Sequence, residues 1–344
     1  MFYRVCSPEH ERGVLCMGRS GVDLYPEQFG PMEEVVSFSK HVGGSPANVA
    51  SQLGKLNIDT AFYGMVSRDG LGSYVRQYLA SCGIDISHLT ATDDIGLRQS
   101  LAIAQQSSPG NIDYFFYRTD PADMHLGMED VDEEFISQFK MLLISGASLA
   151  ASPAREAVLY AADVARKCRV DIVFDPDYRK SGWKSEREAS LYYNILASKA
   201  SFVCATREEM DIIDLLHLQG KQCDEFSAQR LFHADVRMVC IKHGKDGSNL
   251  FMPDQPRIHA EPMPARVYKT LGAGDSYLGT LLAGILLNRS LEEALVYASA
   301  AAAITISGKS CSDSMPDEAM LESYMEAWRC GSIETWPGWN LVAR

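Results

Sequence analysis

The sequence predicts an α/β fold with a doubly wound, mostly parallel sheet flanked by helices and a small β-sheet lid. Three observations carry this expectation: short apolar runs recur along the chain, helix-period segments lie between them, and two β-prone stretches interrupt the alternation. The apolar runs at 14–17, 61–66, 141–144, 172–174, 202–204 and 238–241 have the length of buried strands. Segments 49–56, 154–165 and 191–197 carry helical spacing. Strands alternating with helices give parallel pairing, which places ligands at the carboxyl ends of the strands. The stretches 23–42 and 97–118 are turn-rich and too short for helical crossovers, so a lid built from about 19–45 and 94–124 is expected. No Pro/Gly/Ser linker, low-complexity tract or repeat divides the sequence, and 1–344 reads as a single domain carrying that lid.

Composition narrows the partners. Hydrophobic residues make up 46% and charged residues 22%, an ordinary globular balance. The 32 Lys plus Arg face 45 Asp plus Glu, and a net charge of −13 argues against nucleic acid and against an anionic membrane surface. Nine cysteines without paired spacing suggest reduced thiols in a cytoplasmic protein. Glu9, Glu11 and Arg12 stand where a signal peptide needs apolar residues, and no apolar run is long enough to span a bilayer. The expectation is a soluble protein that is not exported.

The strongest chemical signal is Gly272-Ala273-Gly274-Asp275, followed by an apolar helical face formed by Leu278, Leu281, Leu282 and Ile285. A glycine turn opening a helix near Asp275 offers backbone N–H groups and the positive end of a dipole to a phosphate. Asp275 stands beside that anion hole. The competing reading makes Asp275 a simple N-cap. A second glycine turn, Lys242-His243-Gly244-Lys245-Asp246-Gly247, follows the run 238–241; it suits close approach to a nucleotide, or serves only as a hairpin turn into the strand 249–252. Near the N-terminus, Gly43-Gly44-Ser45-Pro46-Ala47-Asn48 enters a helix; Pro46 fits its first turn, and Asn48 offers both a donor and an acceptor to a polyol. Gly308-Lys309-Ser310 imitates the end of a P-loop, but Ala303 stands where the motif needs its first Gly. The His and Cys residues show no metal-ligand spacing.

The pair formed by Gly43-Gly44-x-x-x-Asn48 early and Gly272-Ala273-Gly274-Asp275 late resembles the two signatures of the PfkB carbohydrate kinases, from about residue 13 to 316. The resemblance implies a ribokinase-like fold and a kinase using ATP and Mg²⁺. It makes Asp275 the base, with Gly272, Ala273 and Gly274 stabilising the transferring phosphoryl group. It assigns Asp23, Gly43, Gly44 and Asn48 to sugar hydroxyls, and Lys242, Gly244, Gly247 and Thr206 to the nucleotide. Where the family has Asn-x-x-Glu, this chain has Thr206 and Glu209, with Glu209 organising Mg²⁺ through water.

The segments Gly18-Arg19-Ser20-Gly21-Val22-Asp23-Leu24-Tyr25, Arg118 with Ala122-Asp123-Met124, Asp177-Tyr178-Arg179 before Trp183-Lys184, Thr206-Arg207-Glu208-Glu209 and Ser310-Cys311-Ser312-Asp313-Ser314-Met315-Pro316 look more like the family's sugar-acid kinases of inositol breakdown. That likeness implies phosphorylation of 5-dehydro-2-deoxygluconate at its C6 hydroxyl. A carboxylate substrate suits guanidinium forks, and Arg118 and Arg179 are the candidates, against the alternative of salt bridges to Asp120, Asp177 or another acid. Other readings are a kinase for 2-keto-3-deoxygluconate or another sugar, and a non-catalytic sugar or nucleotide sensor on the same fold. Lys269 stands where ribokinase-type relatives have an Asp that serves a monovalent-cation site; it is expected either to supply that charge itself or to point to solvent. A homodimer through the lid would cover its strand edges.

Overall fold

The computed structural model describes residues 9–108, 111–217, 220 and 223–339. In chain order the first elements are β1 (Arg12–Met17), β2 (Gly21–Pro26), β3 (Phe38–Gly43), α1 (Ser45–Lys55), β4 (Thr60–Val66), α2 (Gly70–Ser81), β5 (Leu89–Ala91), β6 (Ser100–Ser108) and β7 (Asn111–Tyr117). The middle of the chain holds α3 (Glu133–Ile136), β8 (Phe139–Ser145), α4 (Ala154–Lys167), β9 (Asp171–Asp175), α5 (Glu186–Ala197), β10 (Phe202–Thr206), α6 (Arg207–Asp214) and α7 (Asp224–Phe232). The last elements are β11 (Met238–Lys242), β12 (Ser248–Phe251), β13 (Ile258–Ala260), α8 (Ala273–Leu286), α9 (Leu291–Ile306) and α10 (Glu318–Arg329). The chain divides into two compact units, Met1–Arg19 with Met124–Glu261 and Ser20–Asp123 with Pro262–Arg344.

In the first unit, strands are ordered β13-β12-β11-β10-β9-β8-β1. The pairs from β1 to β11 are parallel, while β12 and β13 pair antiparallel at one edge. Six of the seven residues of β8, FKMLLIS, are buried, the near-continuous apolar run expected of a parallel strand covered on both faces. Helix α4 packs on β8 and β9, and α6 packs on β10 and β11. Parallel pairing brings strand ends into line: Ser145 is in register with Asp175, and Thr206 with Lys242. The carboxyl edge of the sheet therefore carries polar side chains at the ends of apolar strands.

In the second unit, β3-β2-β6-β7 form a small sheet. Its outer pairs are antiparallel, while β2 and β6 pair in parallel. These strands arise from the two stretches that broke the strand-helix alternation. The unit also holds the parallel pair β4–β5 and helices α1, α2, α8, α9 and α10. Helix α8 packs on both α9 and α1. It is buried continuously from Ser276 to Ile285, so it has no solvent face along that length. Among the described residues, no helix is long and apolar enough to cross a membrane.

Candidate active site

Helix α8 begins at Ala273, two residues earlier than its apolar spacing implies. Gly272 is its N-cap, in the left-handed region at φ 87°, with no side-chain cap. Asp275 therefore lies in the first turn and does not cap the helix. Its carboxylate instead accepts hydrogen bonds from Ser45 Oγ at 2.8 Å and Asn48 Nδ2 at 2.7 Å. Both donors come from the first turn of α1, which Gly44 introduces at φ 97° with Pro46 close behind. The amide oxygen of Asn48 is buried and has no partner among the described residues. Behind Asp275, Thr305 Oγ1 donates to Ser276 Oγ at 2.9 Å, which donates to Gln52 Oε1 at 2.9 Å. Gln52 Nε2 then reaches the Pro316 carbonyl at 2.9 Å. This chain of bonds fixes α8 against α1 and hence the carboxylate against its donors.

The first turn of α8 starts with amides that the helix itself cannot satisfy, of which Ala273 N donates to the Thr270 carbonyl at 3.4 Å, next to a carboxylate that accepts from Ser45 and Asn48. An anion at that turn and a hydroxyl at Asp275 are the arrangement needed for proton removal beside phosphoryl transfer.

The predicted sugar residues gather in the same unit. Asp23 lies on β2, 4% exposed, opposite His41 of β3. A Cβ at position 43 would stand 2.1 Å from Asp23 Oδ1, so only glycine leaves room for that carboxylate. Cys311, which had no assigned place, backs the turn: a Cβ on Gly272 would lie 3.0 Å from its Cβ, and its sulfur lies 3.0 Å from Tyr25 Oη. Burial, with Asp23 and Asp275 adding to it against Lys269, pushes the Cys311 thiol up to about 12, so it stays protonated and packs. Lys269 is fully buried, and the solvent-facing alternative for it is excluded. Sequence reasoning missed Ser45, whose role needs a contact across 230 positions of sequence.

In the first unit, Thr206 and Glu209 meet as a capping box at the start of α6. Thr206 N donates to Glu209 Oε2 at 2.9 Å, and Glu209 N donates to Thr206 Oγ1 at 3.2 Å. Glu209 Oε1 also accepts from Tyr178 N at 3.0 Å. Thr206 thus keeps the capping role that any Ser, Thr, Asn or Asp would fill. Lys242 ends the neighbouring strand; burial opposes its charge, but Cys204, Asp175 and Glu209 outweigh it and raise its pKa. Gly244 and Gly247 form the turn between the antiparallel β11 and β12, closed by His243 N to the Gly247 carbonyl at 2.8 Å. The hairpin reading of that turn is correct, and it places both glycines at the carboxyl end of β11.

The two arginines are engaged with acids. Arg179 Nη2 lies 2.7 Å from Asp177 Oδ1, and its Nη1 donates to the Tyr178 carbonyl at 3.0 Å. Arg118 pairs with the buried Asp123. Arg19, just beyond β1, is buried with its Nη1 4.0 Å from Asp177 Oδ2, making Asp177 a carboxylate between two guanidinium groups. The signal for Arg19 was a charge placed directly after an apolar strand. Among the described residues, no group of three or more His, Cys, Asp or Glu is placed to hold a metal ion.

Comparison with known proteins identifies the family. The sequence pattern of the pfkB family carbohydrate kinases matches residues 12–318. The chain is 41% identical over 319 residues to the 5-dehydro-2-deoxygluconokinase of Geobacillus kaustophilus, covering 92% of this chain and 95% of that protein. A Xylella fastidiosa fructokinase with bound ATP superposes with a TM-score of 0.81 at 18% identity, over 92% of this chain and 99% of that one. The Salmonella enterica aminoimidazole riboside kinase gives 0.78 at 24% identity, over 91% and 100%. The fold is thus ribokinase-like, as its sequence implied. With the family pattern spanning nearly the whole chain, the protein belongs to the pfkB family of carbohydrate kinases.

Proposed function

We propose that this kinase transfers the γ-phosphoryl group of ATP to the C6 hydroxyl of 5-dehydro-2-deoxygluconate, with Asp275 as general base. The observation that carries the reading is the Asp275 carboxylate, held at 2.7 and 2.8 Å by Asn48 and Ser45 in the first turn of α8. The carboxylate that these two donors orient accepts the acceptor hydroxyl's proton as the new P–O bond forms. The amides of Gly272, Ala273 and Gly274 stabilise the charge on the transferring group. Asp23, Gly43, Gly44 and the open amide oxygen of Asn48 orient the sugar. Arg179 and Arg118 are the guanidinium groups assigned to its carboxylate, and the small sheet acts as a lid that excludes water.

Lys242, Gly244, Gly247 and Thr206 serve the nucleotide. Both Glu209 oxygens accept backbone amides, so this carboxylate suits a hydrated ion better than direct coordination. Glu209 would organise Mg²⁺ through water, and the ion, when bound with the nucleotide, would neutralise phosphate charge. The substrate assignment draws on relatives about 40% identical that carry the name 5-dehydro-2-deoxygluconokinase. ADP release from MgATP, measured with a panel of sugar acids and their neutral analogues, tests it. The expected result is highest kcat/KM for 5-dehydro-2-deoxygluconate; preference for 2-keto-3-deoxygluconate or a neutral ketose overturns the substrate, and no turnover with any sugar overturns the enzyme.

A further inference from the structure

We propose that the ammonium of Lys269 is a built-in cation that fixes the phosphoryl-binding turn, so that turnover needs no free monovalent cation. Lys269 Nζ donates to the Leu271 carbonyl at 2.7 Å and to the Thr305 carbonyl at 3.2 Å. Leu271 immediately precedes Gly272, the N-cap of α8, while Thr305 belongs to the last turn of α9. The ammonium therefore ties the turn before Asp275 to the negative end of a neighbouring helix. The backbone strengthens the same tie: Tyr268 N and Lys269 N donate to the Ile306 carbonyl at 2.8 and 3.2 Å.

A lysine this buried is rare and has to be compensated. Lys269 is 0% exposed. Burial works against the charge and lowers the pKa of Lys269, while Cys311, Asp23 and Asp275, which face it besides the two carbonyls, act in the opposite direction. Those three lie on the loop behind Gly272, on β2 and in α8, so the positive charge sits among the groups assigned to the sugar and the base. Backbone carbonyls converging on one point are also how proteins hold a dehydrated potassium ion. Here the point is occupied by a charge that is covalently attached and cannot dissociate. Its role is positional: it acts through the turn and its field, and it touches no reacting atom.

The inference rests on the turn at 272–274 being the phosphoryl site, and its test separates the two ideas. Wild-type ADP release is followed while K⁺ or NH₄⁺ replaces tetramethylammonium at constant ionic strength. The expected change is under about twofold, whereas loss of a fixed charge at such a site costs ~10²-fold or more; activation of that larger size overturns the inference while leaving the kinase reading intact. In the second arm, Lys269→Ala opens a space of ammonium size between the same carbonyls. It is expected to lose roughly 10²-fold in kcat and to regain part of it with NH₄⁺ or K⁺. A packing role alone gives no such rescue, so a folded variant with undiminished turnover, or one that stays inactive whatever the cation, overturns the proposal. Should the variant fail to fold, the wild-type titration still decides.

Discussion

Replacing Asp275 with Asn removes the base while nearly preserving its shape, and the hydrogen bonds around it set how the loss divides. Asn48 Nδ2, 2.7 Å from Oδ2, is a donor only, so the new amide must turn its oxygen there. Its NH₂ then faces Ser45 Oγ, 2.8 Å away in the parent, and that hydroxyl rotates from donor to acceptor. Both contacts survive in weaker, uncharged form, a change of about 1 kcal/mol in stability. Turnover suffers far more, because no group remains to take the proton: a positioned base contributes ~10²- to 10⁴-fold, or roughly 3–5 kcal/mol at 1.36 kcal/mol per decade. Steady-state ADP release with MgATP and the sugar acid gives kcat. Nucleotide titration and thermal unfolding report the rest of the molecule and are expected to stay near wild type. A well-folded Asp275→Asn enzyme with kcat within about threefold of the parent would refute the assignment, since that is far below the contribution of a general base.

Asn48→Asp sets a second carboxylate about as close to Asp275 as the present 2.7 Å contact, and like charges raise each other's pKa. The acid limb of the pH–rate profile should move upward, and an unmoved limb counts against Asp275 as the titrating base. Arg179→Met should raise KM for the sugar acid by roughly 10- to 100-fold, the size of a charged hydrogen bond, and leave KM for ATP little changed. Equal losses for acidic and neutral sugars would remove Arg179 from carboxylate recognition. Asp69 caps α2, its carboxylate accepting from Leu71 N at 2.9 Å and Gly72 N at 3.1 Å. Burial raises its pKa, but the bonds from Ser67, Gly72 and Leu71 prevail and the net shift is downward. Asp69→Ala should therefore cost about 1 kcal/mol at neutral pH, with the difference from wild type shrinking as pH falls below ~3.9 through the lower folded pKa. A gap in unfolding midpoint that persists in strong acid contradicts this.

Much of the site was visible in the chain because its parts are local. Gly272 to Asp275 signal a turn and a helix start within four residues, and Gly43 to Asn48 do the same. What sequence could not supply were partners distant along the chain. Ser45 meets Asp275 across 230 positions, and nothing in its neighbourhood marks it as a donor to a base. Lys269 shows why a lone lysine is ambiguous: its inward course depends on the end of α9, with Thr305 lying 36 positions away. Position 206 shows the reverse problem, since Thr-x-x-Glu is a complete capping box and one local pattern accounts for what was also read as an ion motif. The alternation of apolar runs and helical segments sufficed for the parallel sheet. It underestimated α8, because a helix buried all round has no amphipathic face from which to read its limits.

The fit of Asp23 into the place of a missing side chain at Gly43 ties the sugar-binding role proposed for this carboxylate to strand register. Gly21 pairs with Gly43 and Asp23 with His41, so sliding β3 by one residue along β2 would bring Val42 or Gly44 toward the position that Gly43 keeps open. A slip toward Val42 would drive a branched side chain into the carboxylate and displace it from the sugar side. A misregistered small sheet would therefore displace Asp23, the residue proposed to grip the sugar, at the same moment as it lost its own packing. Chains that close this sheet wrongly would be unable to bind sugar, and added sugar would draw the population toward the correct pairing.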